Sequence, residues 1–274
     1  MSISLWRFYK KWYNKGAITG TVLPIVETPR TSGDRKYPLA ERRIIMKSLV
    51  IVVLTTALLL LMIPCLSLAQ EEVIKLPAPQ KTGGKPLMDS LNLRQSTRGN
   101  FGPEQKLSLQ TLSNLLWAAN GVNRPDGHQT APSAAGWENI DIYVTTADGL
   151  FIYDPKQQAL KVISKEDVRA TSGLEGQAGG GMKQDFAKTA PVSLIYVADM
   201  AKTKGMKYGG EDVGPLWSYA NVGTIAQNVY LFCASEGLAC ILRAMIDPVQ
   251  IAKVFKLRPD QKPLLTSTIA QFKK

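Results

Sequence analysis

Two arginines and a serine at residues 94–98 form the stretch of this chain with the clearest chemical potential. The sequence there reads Arg-Gln-Ser-Thr-Arg, so Arg94 and Arg98 flank the hydroxyl group of Ser96. A guanidinium is a planar, permanently charged array of donors that suits phosphate oxygens. The stretch precedes a helix signal, which leaves these donors able to face a ligand. On residue types alone, a solvated surface loop is the simpler interpretation and an anion site is the alternative.

Other residues with reactive side chains give weaker signals. His128 is the only histidine of the chain and stands in a loop-like stretch, where a histidine is more often neutral to function than a proton donor. Tyr143 and Tyr153 are better interpreted as strand residues. The sequence shows no cluster with metal-ligand spacing and no Ser-His-Asp set. It therefore predicts a protein that does little acid–base chemistry of its own.

The net charge of +11 could suggest a nucleic-acid partner, but the charge is unevenly distributed. Residues 1–69 hold ten of the 33 basic residues and only three of the 22 acidic ones. The remainder is only mildly basic and shows no basic helix or basic-aromatic array. Nucleic-acid binding is therefore not expected.

The N-terminal quarter of the sequence has the features of a targeting region. Residues 1–45 lack a sustained apolar period, which predicts a disordered extension or an upstream misassignment of the initiator. Residues 46–69 combine a lysine, a leucine-rich run and small residues before a polar stretch, as in a secretory signal peptide cleaved after Ala69. The alternative is a signal anchor at residues 47–64. We expect an exported, periplasmic or extracellular protein, which contacts a membrane only if this segment stays uncleaved.

The remaining sequence predicts a linker at residues 70–89 and one folded domain at residues 90–274. Ser108 caps a helix that Gly121 ends, and Ala147, Asp148 and Gly149 have hairpin-turn chemistry. Further predicted elements are strands at 140–146, 150–153, 160–163, 192–198 and 264–270, a helix beginning at 165–169, a glycine-rich loop at 173–181, helices at 221–238 and 248–255, and a short strand or extended linker at 241–245. Because helices and strands do not alternate regularly, the predicted fold class is α+β, with a mainly antiparallel central sheet wrapped by helices.

Two cysteines fall within this domain, Cys233 and Cys240. They stand seven residues apart in a helix-like stretch, and seven residues of helix rise by about 10 Å. That separation is too large for a disulfide within one helix. The simplest interpretation is a pair of buried free thiols.

From residue 91 onward the chain resembles the nitroreductase-like FMN-dependent oxidoreductase superfamily. The resemblance is greatest to its exported members and to the oxidoreductase domains of azoline-modifying enzymes. Each motif is weak by itself, but their order and spacing are specific. The motifs are Arg-Gln-Ser-Thr-Arg at 94–98, Leu-Leu-Trp-Ala-Ala-Asn-Gly-Val-Asn-Arg at 115–124, Thr-Ala-Pro-Ser-Ala at 130–134, and the runs at 140–144, 149–154, 190–199 and 227–238.

This resemblance implies an FMN-binding fold, usually a homodimer with each flavin at the subunit interface. The residues that it assigns to the FMN phosphate and ribityl chain are Arg94, Gln95, Ser96 and Arg98. The residues that it assigns to the surroundings of the isoalloxazine, often with the second subunit contributing, are Pro132, Ser133 and Ala134.

Two basic residues complete the implied site, each with an alternative interpretation. Arg243 would line the flavin, or else form a salt bridge beside the preceding helix. Lys273 would reach the phosphate, or else belong to a frayed tail. Gln184 is a weaker candidate for a flavin contact.

The implied function is an FMN-dependent oxidoreductase of nitroreductase type. Hydride or electrons would pass in two steps from an NAD(P)H-type donor to a nitroaromatic, quinone or similar small-molecule acceptor. Two departures favour an alternative, an exported flavin-fold protein without turnover that binds a ligand or partner. Gly136 stands where many relatives carry an asparagine that bonds the ring edge, and the chain lacks their Pro-x-Glu-Gly segment after Leu238.

Overall fold

The computed structural model describes residues 39–62, 72–98, 101–102, 105–173, 185–203 and 205–273. The chain divides into two compact units, Met1–Leu68 and Ala69–Lys274. The predicted cleavage point at Ala69, most of the glycine-rich loop at 173–181 and Gln184 lie outside the described residues. In the first unit, residues Leu39–Met62 form helix α1. Among the residues that the structure describes, no helix combines the length and apolar character needed to cross a membrane.

The second unit is built on a seven-stranded sheet in which all neighbouring strands are antiparallel. Its strand order is β1-β4-β3-β2-β5-β9-β8. The bounds of these strands are β1 Val73–Lys75, β2 Ile140–Thr146, β3 Gly149–Asp154, β4 Ala159–Ser164, β5 Val192–Asp199, β8 Leu238–Arg243 and β9 Gln261–Gln271. Strands β6 (Lys207–Tyr208) and β7 (Glu211–Asp212) pair in a separate short hairpin. The predicted α+β class with a mainly antiparallel sheet is confirmed.

Helices cover this sheet, and local capping explains where two of them begin. They are α2 Leu87–Leu93, α3 Leu109–Asn120, α4 Phe186–Thr189, α5 Gly214–Glu236 and α6 Pro248–Val254. The Ser108 side chain accepts a hydrogen bond from the Thr111 backbone N–H at 3.0 Å, which caps α3 as predicted. Asp247 caps α6 in the same way through the Val249 and Gln250 amides.

The two faces of the sheet bury separate apolar clusters. The larger cluster joins the inner faces of α3 and α5 to the sheet, with Leu115 and Val222 wholly buried. On the other face, α6 and the residue after it pack Ile251 and Phe255 against β2 and β5. The rings of Tyr143 and Phe255 lie 5.4 Å apart there. Helix α5 thus packs against the sheet along its buried side, which makes it a rigid support for the residues described below.

Several predicted elements differ from the structure. Residues 70–89 were expected to be a linker, whereas Val73–Lys75 pair with β4 and α2 begins at Leu87. The helix expected at 165–169 is wrong: a 3₁₀ turn occupies Arg169–Ser172 instead. Asp167 bonds the Arg169 backbone N–H at 3.1 Å, and such a local bond competes with helix formation. Helix α5 begins seven residues before the predicted start, with Pro215 in its first turn.

A half-buried carboxyl group on β2 leads to a prediction about pH. Burial raises the pKa of Asp141, although Lys202 and a 3.2 Å hydrogen bond from Gln261 act in the opposite direction. When the pKa of a carboxyl group is higher in the folded state than in the unfolded state, the group destabilises the fold at high pH. This loss of stability develops as the pH rises from the pKa of the unfolded state through the pKa of the folded state. We therefore expect Asp141→Asn to be more stable than the parent at pH 7, with that advantage lost at pH 3.

Urea unfolding of both proteins at the two pH values measures this difference. Glu211→Gln, which changes an exposed carboxyl group on β7, is the matched control. An advantage of equal size at both pH values would contradict the proposed protonation effect of Asp141.

Candidate functional site

The segment at residues 94–98 follows directly from the end of α2 and is held by one tyrosine of α5. The Ser96 hydroxyl lies 2.8 Å from the Tyr230 hydroxyl, which also accepts a hydrogen bond from the Leu242 backbone N–H at 2.7 Å. The Arg94 guanidinium lies over the Tyr230 ring, 5.5 Å from its centroid. Tyr230 therefore connects three elements, α5, β8 and this segment, and fixes the position of two of the predicted phosphate ligands.

The same segment is bonded to the outer edge of β8. The Thr97 backbone N–H donates to the Cys240 carbonyl oxygen at 2.8 Å, and the Thr97 hydroxyl is buried without a hydrogen-bond partner among the described residues. Arg94 is half-buried and Arg98 is exposed. Within the described part of the chain, neither arginine forms an ion pair with a carboxylate. Two cations beside a hydroxyl group, without a counter-charge among these residues, are suited to an anionic ligand.

Gln95 and the C-terminal end of β9 come together beside this segment. Gln95 and Phe272 line a cavity of about 140 Å³ between α5 and β8. Phe272 also forms an antiparallel β-bridge with Phe101, so the backbone after residue 98 runs beside the residue that follows β9. Lys273 follows Phe272 and is exposed. Lys273 therefore lies next to Phe272, which lines the same cavity as Gln95.

Arg243 occupies a different environment from the 94–98 segment, although it is adjacent to Leu242. Alternate residues of a strand point to opposite sides, and Arg243 is directed to the sheet face away from Tyr230. It is buried, donates to the Thr268 hydroxyl at 2.8 Å and lies 5.5 Å from the ring of Phe186, which stacks on Phe101. Burial lowers the pKa of Arg243 to about 10, so it remains a cation at neutral pH.

The predicted ring-side residues are held by Asn221 of α5, whose buried amide also bonds the side chain of Asn139 before β2. The Asn221 side-chain oxygen accepts from the Ala134 backbone N–H at 2.8 Å, and its amide donates to the Asn139 side-chain oxygen at 2.9 Å. Ser133 accepts from the Glu138 backbone N–H at 2.9 Å. Pro132 contributes its carbonyl oxygen to the Thr224 hydroxyl at 3.3 Å. Asn221 is therefore the principal anchor of this segment.

The two groups of predicted ligands lie at separate positions along α5. Tyr230 follows Asn221 by nine residues, which corresponds to ~14 Å along a helix and to opposite sides of its axis. The two groups of predicted ligands are therefore anchored on opposite sides of α5. The sequence did not indicate Tyr230 or Asn221. The only available signal was the presence of Ser218 and Asn221 at helical spacing with the apolar Ile225.

Comparison with known proteins decides the family. The model of the nitroreductase family matches residues 91–270, which include most of the compact second unit and both groups of predicted ligands. The chain belongs to the nitroreductase family. It is therefore an oxidoreductase of nitroreductase type, and proteins of this family generally use flavin cofactors.

Individual nitroreductase relatives agree with this assignment. A protein of Methanocaldococcus jannaschii named as a nitroreductase is 32% identical over 191 residues, covering 68% of this chain and 90% of that protein. A crystal structure of a protein from Ralstonia eutropha, also named as a nitroreductase, shares 39% identity. The match covers 75% of this chain and 92% of the other, with a TM-score of 0.66.

A more distant similarity connects the nitroreductase fold to a synthetase complex. A chain of the microcin synthetase McbBCD complex from E. coli is 18% identical, with a TM-score of 0.52. The match covers 76% of this chain and 80% of the other. At this identity the similarity concerns the fold alone.

Proposed function

We propose that this nitroreductase-family protein is an FMN-dependent oxidoreductase that functions as a homodimer. It would transfer hydride or electrons from an NAD(P)H-type donor to a nitroaromatic, quinone or similar small acceptor. The observation that supports this most directly is the arrangement at residues 94–98. There, Tyr230 positions Ser96 and Arg94 beside each other, and no carboxylate of the described residues neutralises the guanidinium groups.

In this proposal, residues 94–98 hold the phosphate and ribityl end of the cofactor. Arg94, Ser96 and Arg98 supply charged and hydroxyl donors to phosphate oxygens, which charge-assisted hydrogen bonds favour. Gln95 faces the cavity next to them, and the exposed Lys273 adds a further cation. Arg243 carries a buried positive charge behind this region, on the opposite face of β8, and would act on the cofactor through its field.

The ring end of the cofactor would be completed by a second copy of the chain. Pro132, Ser133 and Ala134 are anchored on the side of α5 opposite Tyr230, about 14 Å away along its axis, so we propose that a second subunit presents them to the ring. Helices α2 and α5 also expose large apolar side chains, and exposed patches of this kind mark protein interfaces. These side chains are Leu87, Met88 and Leu91 of α2 and Leu216 and Tyr219 of α5.

The chain's own groups would bind and orient; they would not act as acids or bases. A bound flavin supplies the hydride and electron chemistry, and the protein contributes position and electrostatics. His128 is exposed and its Nδ1 lies 3.0 Å from the Asp126 carboxylate in a surface loop. That contact gives His128 a local partner in the loop.

Absorbance and turnover of the purified full-length protein test the proposal. We expect a yellow protein whose released cofactor comigrates with FMN and not with FAD. NAD(P)H should bleach the flavin, and menadione or 4-nitrobenzoate should reoxidise it. A colourless protein that FMN does not reconstitute would overturn the proposal. A yellow protein that no donor reduces would instead support the alternative, a flavin-fold protein without turnover.

A single substitution tests the effect of having Gly136 where many relatives carry an asparagine. Its φ is +64° and no described atom lies within 4 Å of a Cβ placed there, so an asparagine side chain has room. Asparagine tolerates this left-handed conformation better than most residues. We expect Gly136→Asn to add a hydrogen bond to the ring edge and to tighten FMN binding about fivefold.

Titration of apoprotein with FMN, followed by flavin fluorescence, measures this change. Gly136→Ala is the matched control, because it introduces the same backbone restriction without an amide group. Equal affinities for the two variants would show that the asparagine makes no contact with the cofactor.

We also propose that residues 46–69 direct export and are removed after Ala69. The support is the apolar run with a preceding lysine and following small residues. The intact mass of protein isolated from its native compartment tests this directly. A mass that begins at Gln70 agrees with the proposal, whereas retention of residues 47–64 indicates a membrane anchor.

A further inference from the structure

The two cysteines of the second unit meet at the corner between α5 and β8. Gly237 ends the helix in a left-handed conformation with φ +68° and ψ +35°, and its N–H donates to the Cys233 carbonyl oxygen. The chain then reverses into β8, which carries Cys240. As a result, Cys233 and Cys240 belong to the same buried cluster and line the same cavity. The prediction of two buried free thiols is confirmed. Their separation is not set by helical spacing, however, because α5 ends at Glu236, between them.

Both thiols are buried, yet they form part of the wall of one cavity. Cys233 is 1% exposed and Cys240 is 2% exposed. The cavity of about 140 Å³ is lined by both cysteines and also by the exposed residues Lys85, Gln95 and Gly237. One water molecule in the liquid occupies about 30 Å³. A cavity of about 140 Å³ therefore has room for hydrogen peroxide, which is only slightly larger than water, whereas a bulky thiol reagent would not fit.

We propose that Cys233 and Cys240 are an oxidisable pair that hydrogen peroxide converts to an intramolecular disulfide in the folded protein. One thiolate attacks a peroxide oxygen, the O–O bond breaks, and a sulfenic acid and hydroxide form. The second thiol then attacks the sulfenic sulfur, the S–S bond forms and water leaves. In total, two thiols and one peroxide give one disulfide and two waters, so the sulfurs lose two electrons and the peroxide gains them.

The environment of the pair favours the disulfide over other products. The second thiol lines the same cavity, so it can trap the sulfenic acid before a second peroxide reacts. Burial and the neighbouring Cys240 side chain raise the pKa of Cys233. The bond would tie the C-terminal end of α5 to β8. Because the Thr97 backbone N–H donates to the Cys240 carbonyl oxygen, the disulfide would lie beside the segment at 94–98.

Peptide mass measurement of the full chain tests this proposal. Trypsin releases residues 208–243 as one peptide that contains both cysteines and no methionine, and Cys65 lies in a separate peptide. After peroxide treatment of the folded protein and alkylation in denaturant, we expect this peptide to be lighter by two hydrogen atoms than its free-thiol form and to carry no alkyl group. Dithiothreitol should restore both alkylation sites. The Cys233→Ser and Cys240→Ser variants should not show the loss.

The thermal midpoint provides a second, independent measurement. A bond that fits the native corner should raise the Tm of the oxidised protein by about 5 °C over the reduced protein. Two alkylated thiols after peroxide, a sulfinic or sulfonic product, or a disulfide that forms only in denaturant would each overturn the proposal. A Tm that does not rise would show that the bond does not fit the native geometry.

Discussion

Replacement of Asn221 by leucine should lower the free energy of unfolding by about 3 kcal/mol. Asn221 is buried on α5, where it accepts from the Ala134 N–H at 2.8 Å and donates to the Asn139 side-chain oxygen at 2.9 Å. Leucine is close in size but can make neither bond. Each buried group that is left without its partner costs about 1–3 kcal/mol, because water does not replace the lost bond.

The same helix provides a matched control for this substitution. Asn228 is half-buried on α5 and makes one long hydrogen bond, 3.4 Å, to the Ala119 carbonyl oxygen. Asn228→Leu should therefore cost less than about 1 kcal/mol. Urea unfolding of the three proteins measures the difference. Similar losses for both variants would mean that helix substitution in general, and not the Asn221 amide, accounts for the effect.

Asn221→Leu should also impair flavin binding, because it releases the segment at residues 132–134 that the proposed dimer presents to the isoalloxazine. We expect the variant to retain less FMN through gel filtration than Asn228→Leu does. If Asn221→Leu is destabilised but retains FMN like the parent, the position of this segment does not depend on the Asn221 amide.

Removal of the arginine side chains at the proposed phosphate end should have the largest effect on cofactor affinity. A hydrogen bond to a charged group contributes about 1.5–3 kcal/mol, so Arg94→Ala or Arg98→Ala should each weaken FMN binding about 10- to 100-fold. Arg94 should be the more sensitive position, because it is half-buried and packed on Tyr230, whereas Arg98 is exposed.

Calorimetric titration of apoprotein with FMN measures these losses. Arg124→Ala is the control, since Arg124 is an exposed loop arginine whose Nε lies 4.0 Å from the Asp126 carboxylate. Riboflavin, which lacks the phosphate, provides a second comparison: its affinity should change little in either variant. If both arginine variants bind FMN as the parent does, the phosphate lies elsewhere.

The elements that the sequence predicted well are those governed by neighbouring residues. Ser108 and Gly121 delimit α3 through contacts within four residues, and both ends were predicted. The turn before Gly149 joins β2 to β3 through a pair between Thr146 and Gly149. The helix predicted at 165–169 was wrong for a local reason too, because the Asp167 carboxylate accepts a hydrogen bond from the Arg169 N–H, which competes with helix formation.

The candidate site was only partly predictable, because its organising contacts are distant in the chain. The arginines and serine at 94–98 were identified by residue type and motif. Tyr230, which positions them, is 134 residues from Ser96. It stands in the motif at 227–238, but that motif does not show which residue contacts Ser96. The proximity of Cys233 and Cys240 depends on the direction in which the chain leaves Gly237, and residue spacing cannot show that direction.

The place of β9 in the sheet has a consequence for biosynthesis. β9 (Gln261–Gln271) lies between β5 and β8, although it follows all the other described strands in the chain. On the ribosome, β5 and β8 therefore emerge before the strand that pairs with both, and each presents an unpaired edge until then. Unpaired edges are templates for aggregation, so a growing chain depends on chaperones for longer than one with a central strand near its start. A premature stop codon before residue 261 would leave this vulnerable intermediate as the final product.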